Sequence, residues 1–212
     1  MKPTLLFDLD GTLIDSEAGI LASIRYAFAA AGLAAPAAEI LRSWIGPPLR
    51  KQLQQHLGHN DARIEVMVAH YREHFAAAGW ADHRVIDGID IALRQFARAG
   101  HRLAVVTSKI EPHARRIVAS FAFASLFKDV IGATADGSLS EKPALIATAL
   151  RRLGSDASAA VMIGDRRYDI EGARQHGMRS IGVLWGFGTR AELRAAGADA
   201  LAAAPAELAA LV

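Results

Sequence analysis

The chain contains no cysteine in its 212 residues. That absence excludes disulfides, thiolate metal sites and cysteine nucleophiles, and it fits a reducing compartment, so the expected location is the cytoplasm. No apolar run approaches about 18 uninterrupted residues, which argues against a membrane span. The opening Lys2-Pro3, a few apolar residues and then Asp8 lack the hydrophobic stretch of a secretory signal. A large excess of either charge is missing too: 24 Lys and Arg against 22 Asp and Glu leave a formal charge of +2. The basic residues are scattered among acids and form no stripe, so a nucleic-acid partner is not expected, whereas a small anionic substrate is compatible. There is no internal repeat. With 52% apolar residues, the chain can bury one generous core, or a main domain with a smaller companion.

What is present falls into two grammars. Thr4 to Phe7 reads as a buried strand, after which the pattern turns helical. Ile20, Ile24, Ala27 and Phe28 recur at three- and four-residue spacing from about Ser16 to Ala31, with Gly32 as a stop. Further helices are expected at Ala38–Trp44, Leu49–Leu57 and Asp61–Ala78, with the rigid Gly46-Pro47-Pro48 between the first two, and no strand is expected before Val85. From Asp87 onward short buried strands alternate with helices. The strands are Leu103–Thr107, Val130-Ile131, Ala160–Ile163, Ser180–Val183 and Ala200-Leu201; the helices are Ile89–Ala99 with Asp87 as cap, Pro112–Ser120, a run from Pro143 to about Leu153, Tyr168–Gln175, Glu192–Ala196 and Ala206–Leu211. This alternation describes an α/β, Rossmann-like, mostly parallel sheet with helices on both faces. The expected domains are an α/β core, 1–15 with 85–212, and an inserted helical cap, 16–84.

In open sheets of this kind, ligands bind beyond the carboxyl ends of the strands. Groups able to do chemistry cluster there. Asp8 and Asp10 follow the first strand and, two apart on a continuing strand, would point the same way. Their like charges repel unless a cation or partners offset them. Gly11 permits a tight turn, and Thr12 adds a hydroxyl and an N–H. Thr107, Ser108 and Lys109 follow a second strand, Lys142 precedes a helix, Gly164-Asp165 follows another strand, and Asp169 lies one helical turn beyond. Singly, each has an innocent reading: a polar turn, a helix cap, a solvated lysine, an exposed loop. Together they supply the parts of phosphoryl transfer through an aspartyl-phosphate. Close carboxylates bind a hard cation such as Mg2+, one carboxylate attacks phosphorus, a second moves the proton, and hydroxyls and a lysine hold the phosphoryl oxygens. The residues alone do not say which Asp does which job.

Asp8-Leu9-Asp10-Gly11-Thr12-Leu13, Thr107, Lys142 and Gly164-Asp165-Arg166-Arg167-Tyr168-Asp169 together resemble the four ordered motifs of the haloacid dehalogenase superfamily, in its phosphatase branch with a helical cap after the first strand. The resemblance implies Asp8 as nucleophile, Asp10 as general acid/base with its backbone carbonyl on the metal, Asp165 as Mg2+ ligand, and Asp169 in support of the metal shell or the lysine. It implies Thr107 and Lys142 as catalytic groups, and Gly11, Thr12, Ser108 and Lys109 against the substrate. Asp15-Ser16, Trp44–Leu49, Thr107-Ser108-Lys109, Ile163–Arg166 and Gly182–Gly186 are similar to phosphoglycolate phosphatase-type members, and some nucleotide 5'-phosphatases share this pattern. A phosphomutase of the same superfamily and a non-catalytic binding protein are the remaining alternatives.

Specificity is less legible. Arg50 is a candidate contact for a carboxylate or second anionic group of a small phosphorylated metabolite, as is Lys51, although both also read as solvated charges beside a proline-organised helix junction. Trp44 and Tyr71 read as cap packing. His70 and His74, four apart on a helix, lack a third metal ligand. Gly186-Phe187-Gly188 reads equally as an active-site rim or a plain turn. Oligomeric state is not legible in the sequence.

Overall fold

A computed structural model describes residues 2–212. The chain enters as strand β1 (Thr4–Phe7), all four residues of which are buried. A short β2 (Ile14–Asp15) leads into four helices: α1 (Glu17–Ala30), α2 (Ala38–Ser43), α3 (Leu49–Leu57) and α4 (Asp61–Ala77). The chain returns through β3 (Arg84–Val85), which pairs with β2. Then follow α5 (Ile89–Arg98), β4 (Arg102–Ile110), α6 (Glu111–Ala119), β5 (Phe127–Ala133), α7 (Lys142–Leu153), β6 (Ala160–Gly164) and α8 (Arg167–Gln175). The last elements are β7 (Arg179–Val183), α9 (Arg190–Ala196), β8 (Ala200–Ala202) and α10 (Leu208–Leu211).

Six strands form one sheet in the order β5-β4-β1-β6-β7-β8, and every pairing in it is parallel. Strands buried on both sides must be apolar throughout, which is why β1 and β6 carry no polar alternation beyond Thr4. Leu6, Ala104, Val106 and Met162 point to one face and pack with Leu145, Ile146 and Ala149 of α7 and Ala173 of α8. Phe7, one residue on, points to the other face, where its ring lies 6.4 Å from that of Phe96 on α5. The order of strands reverses about β1: β4 and β5 build outward on one side, β6 to β8 on the other. The crevice at such a switch point is where an open parallel sheet presents its ligand site, and Asp8 and Asp165 follow β1 and β6, its two walls.

The chain divides into two compact units, one ending at Asp15 and resuming over Val85–Val212, the other Ser16–Arg84. In the helical unit, the predicted α1 stripe is buried at Ile20, Ile24, Ala27 and Phe28 and packs with α4. The Asn60 side chain caps α4 by accepting the Arg63 N–H at 3.1 Å. Trp44 packs between Phe28 and His56, and Tyr71 stacks on Phe75, so both aromatics serve this core.

Three local expectations need correction. The β2–β3 ribbon was hidden because its strands are two residues long and β3 is exposed, leaving no periodic signal. Asp87 does not cap α5; Gly88, at φ +81°, occupies the cap and Asp87 stays outside. Ser108 and Lys109 continue β4 beyond Thr107 and do not follow it, because the backbone runs alongside β5 to Ile110, with the register shifting after Val106. No helix is long and apolar enough to cross a membrane among the described residues.

Candidate active site

The turn after β1 is a hydrogen-bonded knot. The Asp8 N–H continues the ladder to the Ile163 carbonyl at 2.9 Å, and the Leu9 carbonyl then accepts from Thr12, Leu13 and Ile14. Gly11 takes φ +80°, and a Cβ there would overlap the Asp165 carboxylate, so two independent constraints require glycine. The N–H groups of Gly11 and Thr12 donate to the Ile14 and Leu9 carbonyls at 2.7 and 3.3 Å. The Thr12 hydroxyl donates to Asp165 Oδ1 at 3.4 Å. Both residues therefore shape the turn and support Asp165.

Lys142, the first residue of α7, is buried rather than solvated. Its Nζ donates to the Val106 carbonyl at 3.0 Å and stands 3.0 Å from Asp8 Oδ1 and 2.7 Å from Asp169 Oδ1. The last contact is one of charge: Asp169 Oδ1 is buried and receives no aligned hydrogen bond. Asp169 Oδ2 accepts the Arg166 N–H at 3.1 Å, closing a capping box at the start of α8. Asp165 is fully buried, and its Oδ2 accepts the Phe187 N–H at 2.7 Å.

Oxygens of Asp8, Asp165 and Asp169 lie within 4.8 Å of one another, and all three residues are buried. Asp10, expected at the metal through its backbone carbonyl, contributes no side-chain oxygen to this cluster. The Asp10 carboxylate turns to Lys109, 3.1 Å away, in a pair that is itself nearly buried. The strand itself ends at Phe7, before either acid, and the Asp10 charge still acts on Asp8. Thr107 is buried, and its hydroxyl accepts the Lys109 N–H at 3.2 Å; Ser108 is half-buried.

The electrostatics follow from a charge count. Asp10 and Lys109 balance, while Asp8, Asp165 and Asp169 face one lysine, which leaves two buried negative charges in excess. Burial pushes the Asp8 carboxyl up from 3.8 to about 7; Lys142 pulls it down, and the charges of Asp169 and Asp10 push it further up. Burial likewise raises Asp165 well above the usual carboxylate range, with Asp169 and Asp8 adding to it. For Lys142 burial works downward, but the charges of Asp169 and Asp8 outweigh it and hold the ammonium form. Two excess charges on hard oxygens, one of them an Asp169 oxygen that only the Lys142 ammonium meets, fit a divalent cation with oxygen preference.

Residues 5–183 match the haloacid dehalogenase-like hydrolase family. The chain belongs to that family. This hydrolase is 43% identical over 193 residues to a 5'-nucleotidase of Pseudomonas aeruginosa, covering 91% of this chain and 87% of the relative. It is 41% identical over 184 residues to the tyrosine-protein kinase PtkA of Mycobacterium tuberculosis, covering 87% of this chain and 62% of PtkA. At 30% identity over 184 residues it also resembles a phosphoglycolate phosphatase of Xanthomonas campestris, covering 86% of this chain and 83% of that protein. The crystal structure of a predicted phosphatase from Clostridium acetobutylicum superposes with a TM-score of 0.94 at 35% identity, over 98% of this chain and 97% of that one.

The remaining sequence candidates divide between the two units. Arg50 lies on α3 in the helical unit and makes a bidentate pair with Glu65 of α4, Nε to Oε1 at 2.5 Å and Nη2 to Oε2 at 2.7 Å, while Lys51 is exposed. His74 Nδ1 lies 3.0 Å from the Ser23 hydroxyl and His70 turns toward Glu73, so the two histidines form no metal pair. Gly186-Phe187-Gly188 is part of the site in the hydrolase: besides the Phe187 N–H, a Cβ on Gly188 would overlap the Asp165 carbonyl oxygen. Sequence reasoning missed Trp185, whose Nε1 donates to the Thr12 carbonyl at 3.1 Å, and Glu192, which bonds Arg166 and Arg167. The Gly-x-Gly spacing and the Thr189-x-x-Glu192 capping pattern were the available signals.

Proposed function

We propose that this hydrolase is a Mg2+-dependent phosphatase of small phosphomonoesters that works through a phosphoryl group carried on Asp8. Nucleoside 5'-monophosphates are the favoured substrate class. The observation that carries the reaction is the buried Asp8–Asp165–Asp169 cluster with a single lysine against it. What favours nucleotides over phosphoglycolate is likeness: 43% identity to a 5'-nucleotidase against 30% to a phosphoglycolate phosphatase, at similar coverage.

Asp8, Asp165 and the Asp10 backbone carbonyl would hold Mg2+, with Asp169 in support. A cation bound there would supply charge against the phosphoryl oxygens and offset the burial and like-charge repulsion that together raise the Asp8 carboxyl. An ionised Asp8 oxygen bonds phosphorus as the bond from phosphorus to the ester oxygen breaks, and that oxygen takes the proton of the Asp10 carboxyl. Asp10, now a carboxylate, accepts a proton from water as the water oxygen bonds phosphorus and the bond to Asp8 breaks, releasing inorganic phosphate. Thr107, Ser108 and Lys142 bear on the phosphoryl oxygens, where preorganised donors stabilise developing charge. Lys109 pairs with Asp10, and its ammonium has more than one donor, so it need not leave Asp10 to reach substrate. The setting is the cytoplasm, and the catalytic core and helical cap are the two compact units described above.

Phosphate release from nucleoside 5'-monophosphates, 2-phosphoglycolate, phosphotyrosine and a hexose monophosphate, with and without Mg2+, tests the reading. We expect metal-dependent release with the highest kcat/KM on a nucleotide, lost in Asp8→Asn. A preference for phosphoglycolate would reverse the substrate assignment, hexose isomerisation would mark a mutase, and no release from folded protein would mark a binding protein.

A further inference from the structure

Glu192 reaches back toward the acidic cluster from a helix that the reaction does not otherwise use. It is the third residue of α9, and its own N–H is held by the Thr189 hydroxyl at 3.1 Å. Its Oε1 accepts from Arg166 Nε at 3.0 Å and from the Arg167 N–H at 3.0 Å. These two residues directly follow Asp165, and the Arg166 N–H in turn donates to Asp169 Oδ2. One carboxylate oxygen therefore pins the turn that has Asp165 at one end and Asp169 at the other. The Arg166–Glu192 pair is largely shielded, at 10% and 21% side-chain exposure, so it can fix geometry in a way a solvated pair cannot.

We propose that Glu192 is a positioning residue for the divalent cation, holding the 165–169 turn so that Asp165 and Asp169 keep their spacing to Asp8. The inference rests on the reading of that cluster as a Mg2+ site. Mg2+ demands near-ideal oxygen geometry at about 2.0–2.1 Å and tolerates little drift of its ligands. Partners one step removed from a metal typically change its affinity by about 10–100-fold when removed.

Calorimetric titration of the full chain with Mg2+, without substrate, is the test. Glu192→Ala should weaken the Kd by about tenfold or more. Glu192→Gln keeps the acceptor oxygen and should stay close to wild type. Glu192→Asp keeps the charge but withdraws the oxygen by one methylene; it should weaken binding as Ala does, and it decides the matter if the Ala variant does not fold. Asp199→Ala is the control for general loosening. Asp199 Oδ2 accepts the Ser180 N–H and hydroxyl at 2.8 and 3.1 Å, so its loss should lower Tm and leave the Kd alone. Wild-type Kd in a folded Glu192→Ala or Glu192→Asp variant overturns the proposal, as does equal weakening by Asp199→Ala. If the wild-type chain itself takes up no Mg2+, the cation reading falls and this proposal with it; unchanged affinity in the Glu192 variants beside a binding wild type sinks this proposal alone.

Discussion

Lys142 and Arg50 are both cations held against acids, one in the α/β unit and one in the helical unit. Lys142 is 2% exposed and faces two carboxylates that are as deeply buried, whereas Arg50 is 25% exposed and its partner Glu65 is 56% exposed. Arg50 has the better hydrogen-bond geometry, a two-pronged fork onto one carboxylate. Lys142 nevertheless carries more consequence. Where water is excluded, a missing countercharge cannot be replaced by solvent, and the acids left behind must protonate, move or find another cation. At Arg50 water does that work, and the pair contributes little to folding. Burial, more than bonding geometry, separates an ion pair that builds a site from one that decorates a surface.

The comparison breaks most visibly at Lys142. Lys142→Met should destabilise the metal-free chain by about 3–5 kcal/mol, because the buried Asp8 and Asp169 carboxylates lose the cation that contacts both, and Mg2+ should restore part of it. Urea unfolding with and without the ion measures both. A loss below about 1 kcal/mol would put Lys142 in the same class as an exposed pair.

A smaller effect appears in pH dependence. The Asp8 carboxyl is raised from 3.8 to about 7 in the folded chain, so its contribution to stability is complete below about pH 4 and is lost as pH rises through about 7. Asp165 is raised as well and acts in the same direction. Mg2+ binds the ionised carboxylates, so the rise in Tm on adding it should be larger at about pH 8 than at about pH 5.5. Equal rises at both values would mean that the ion binds away from these acids.

The smallest effect belongs to Arg50. Arg50→Ala should cost less than about 1 kcal/mol in denaturant unfolding. Its hydrogen bond to Glu65 holds that carboxyl below the ordinary range, so whatever stability the pair gives is present at neutral pH and fades in acid. If the helical unit reads the leaving group, the same substitution should lower kcat/KM unequally across substrates. An equal effect on all of them would leave Arg50 a surface charge, and a large loss of stability would erase the contrast with Lys142.

The same contrast explains what the sequence made legible. Helices α1, α3 and α4 lay within a residue or so of their expected bounds, because α1 carries a periodic apolar stripe and Pro48 and Gly79 punctuate the chain around the other two. The acids and Lys142 could be placed at one edge of the sheet because polar residues at the ends of apolar strands have few other places to go. What stayed hidden depends on contacts between distant residues. Phe187 is 22 positions from the Asp165 it bonds and Glu192 is 25 from Arg167; the local Gly-x-Gly and Thr189-x-x-Glu192 patterns mark a turn and a cap but not these distant partners. The Asp10–Lys109 pair was missed for a related reason: it joins the ends of two neighbouring strands, and the sequence does not show which lysine an acid will meet. Arg50 was read from its charge alone, and its pairing with Glu65 on another helix lies beyond any local pattern.

The most direct test of the account is where the phosphoryl group goes. Asp10→Asn should still accept it from p-nitrophenyl phosphate, whose leaving group needs no proton, yet be slow to release it to water. Mass spectrometry of the acid-quenched variant with Mg2+ should find one added phosphoryl group, confined to the peptide that contains Asp8 and absent when the metal is chelated. Phosphoryl mass on any other residue, or turnover by the wild-type chain that survives Asp8→Asn, would contradict it.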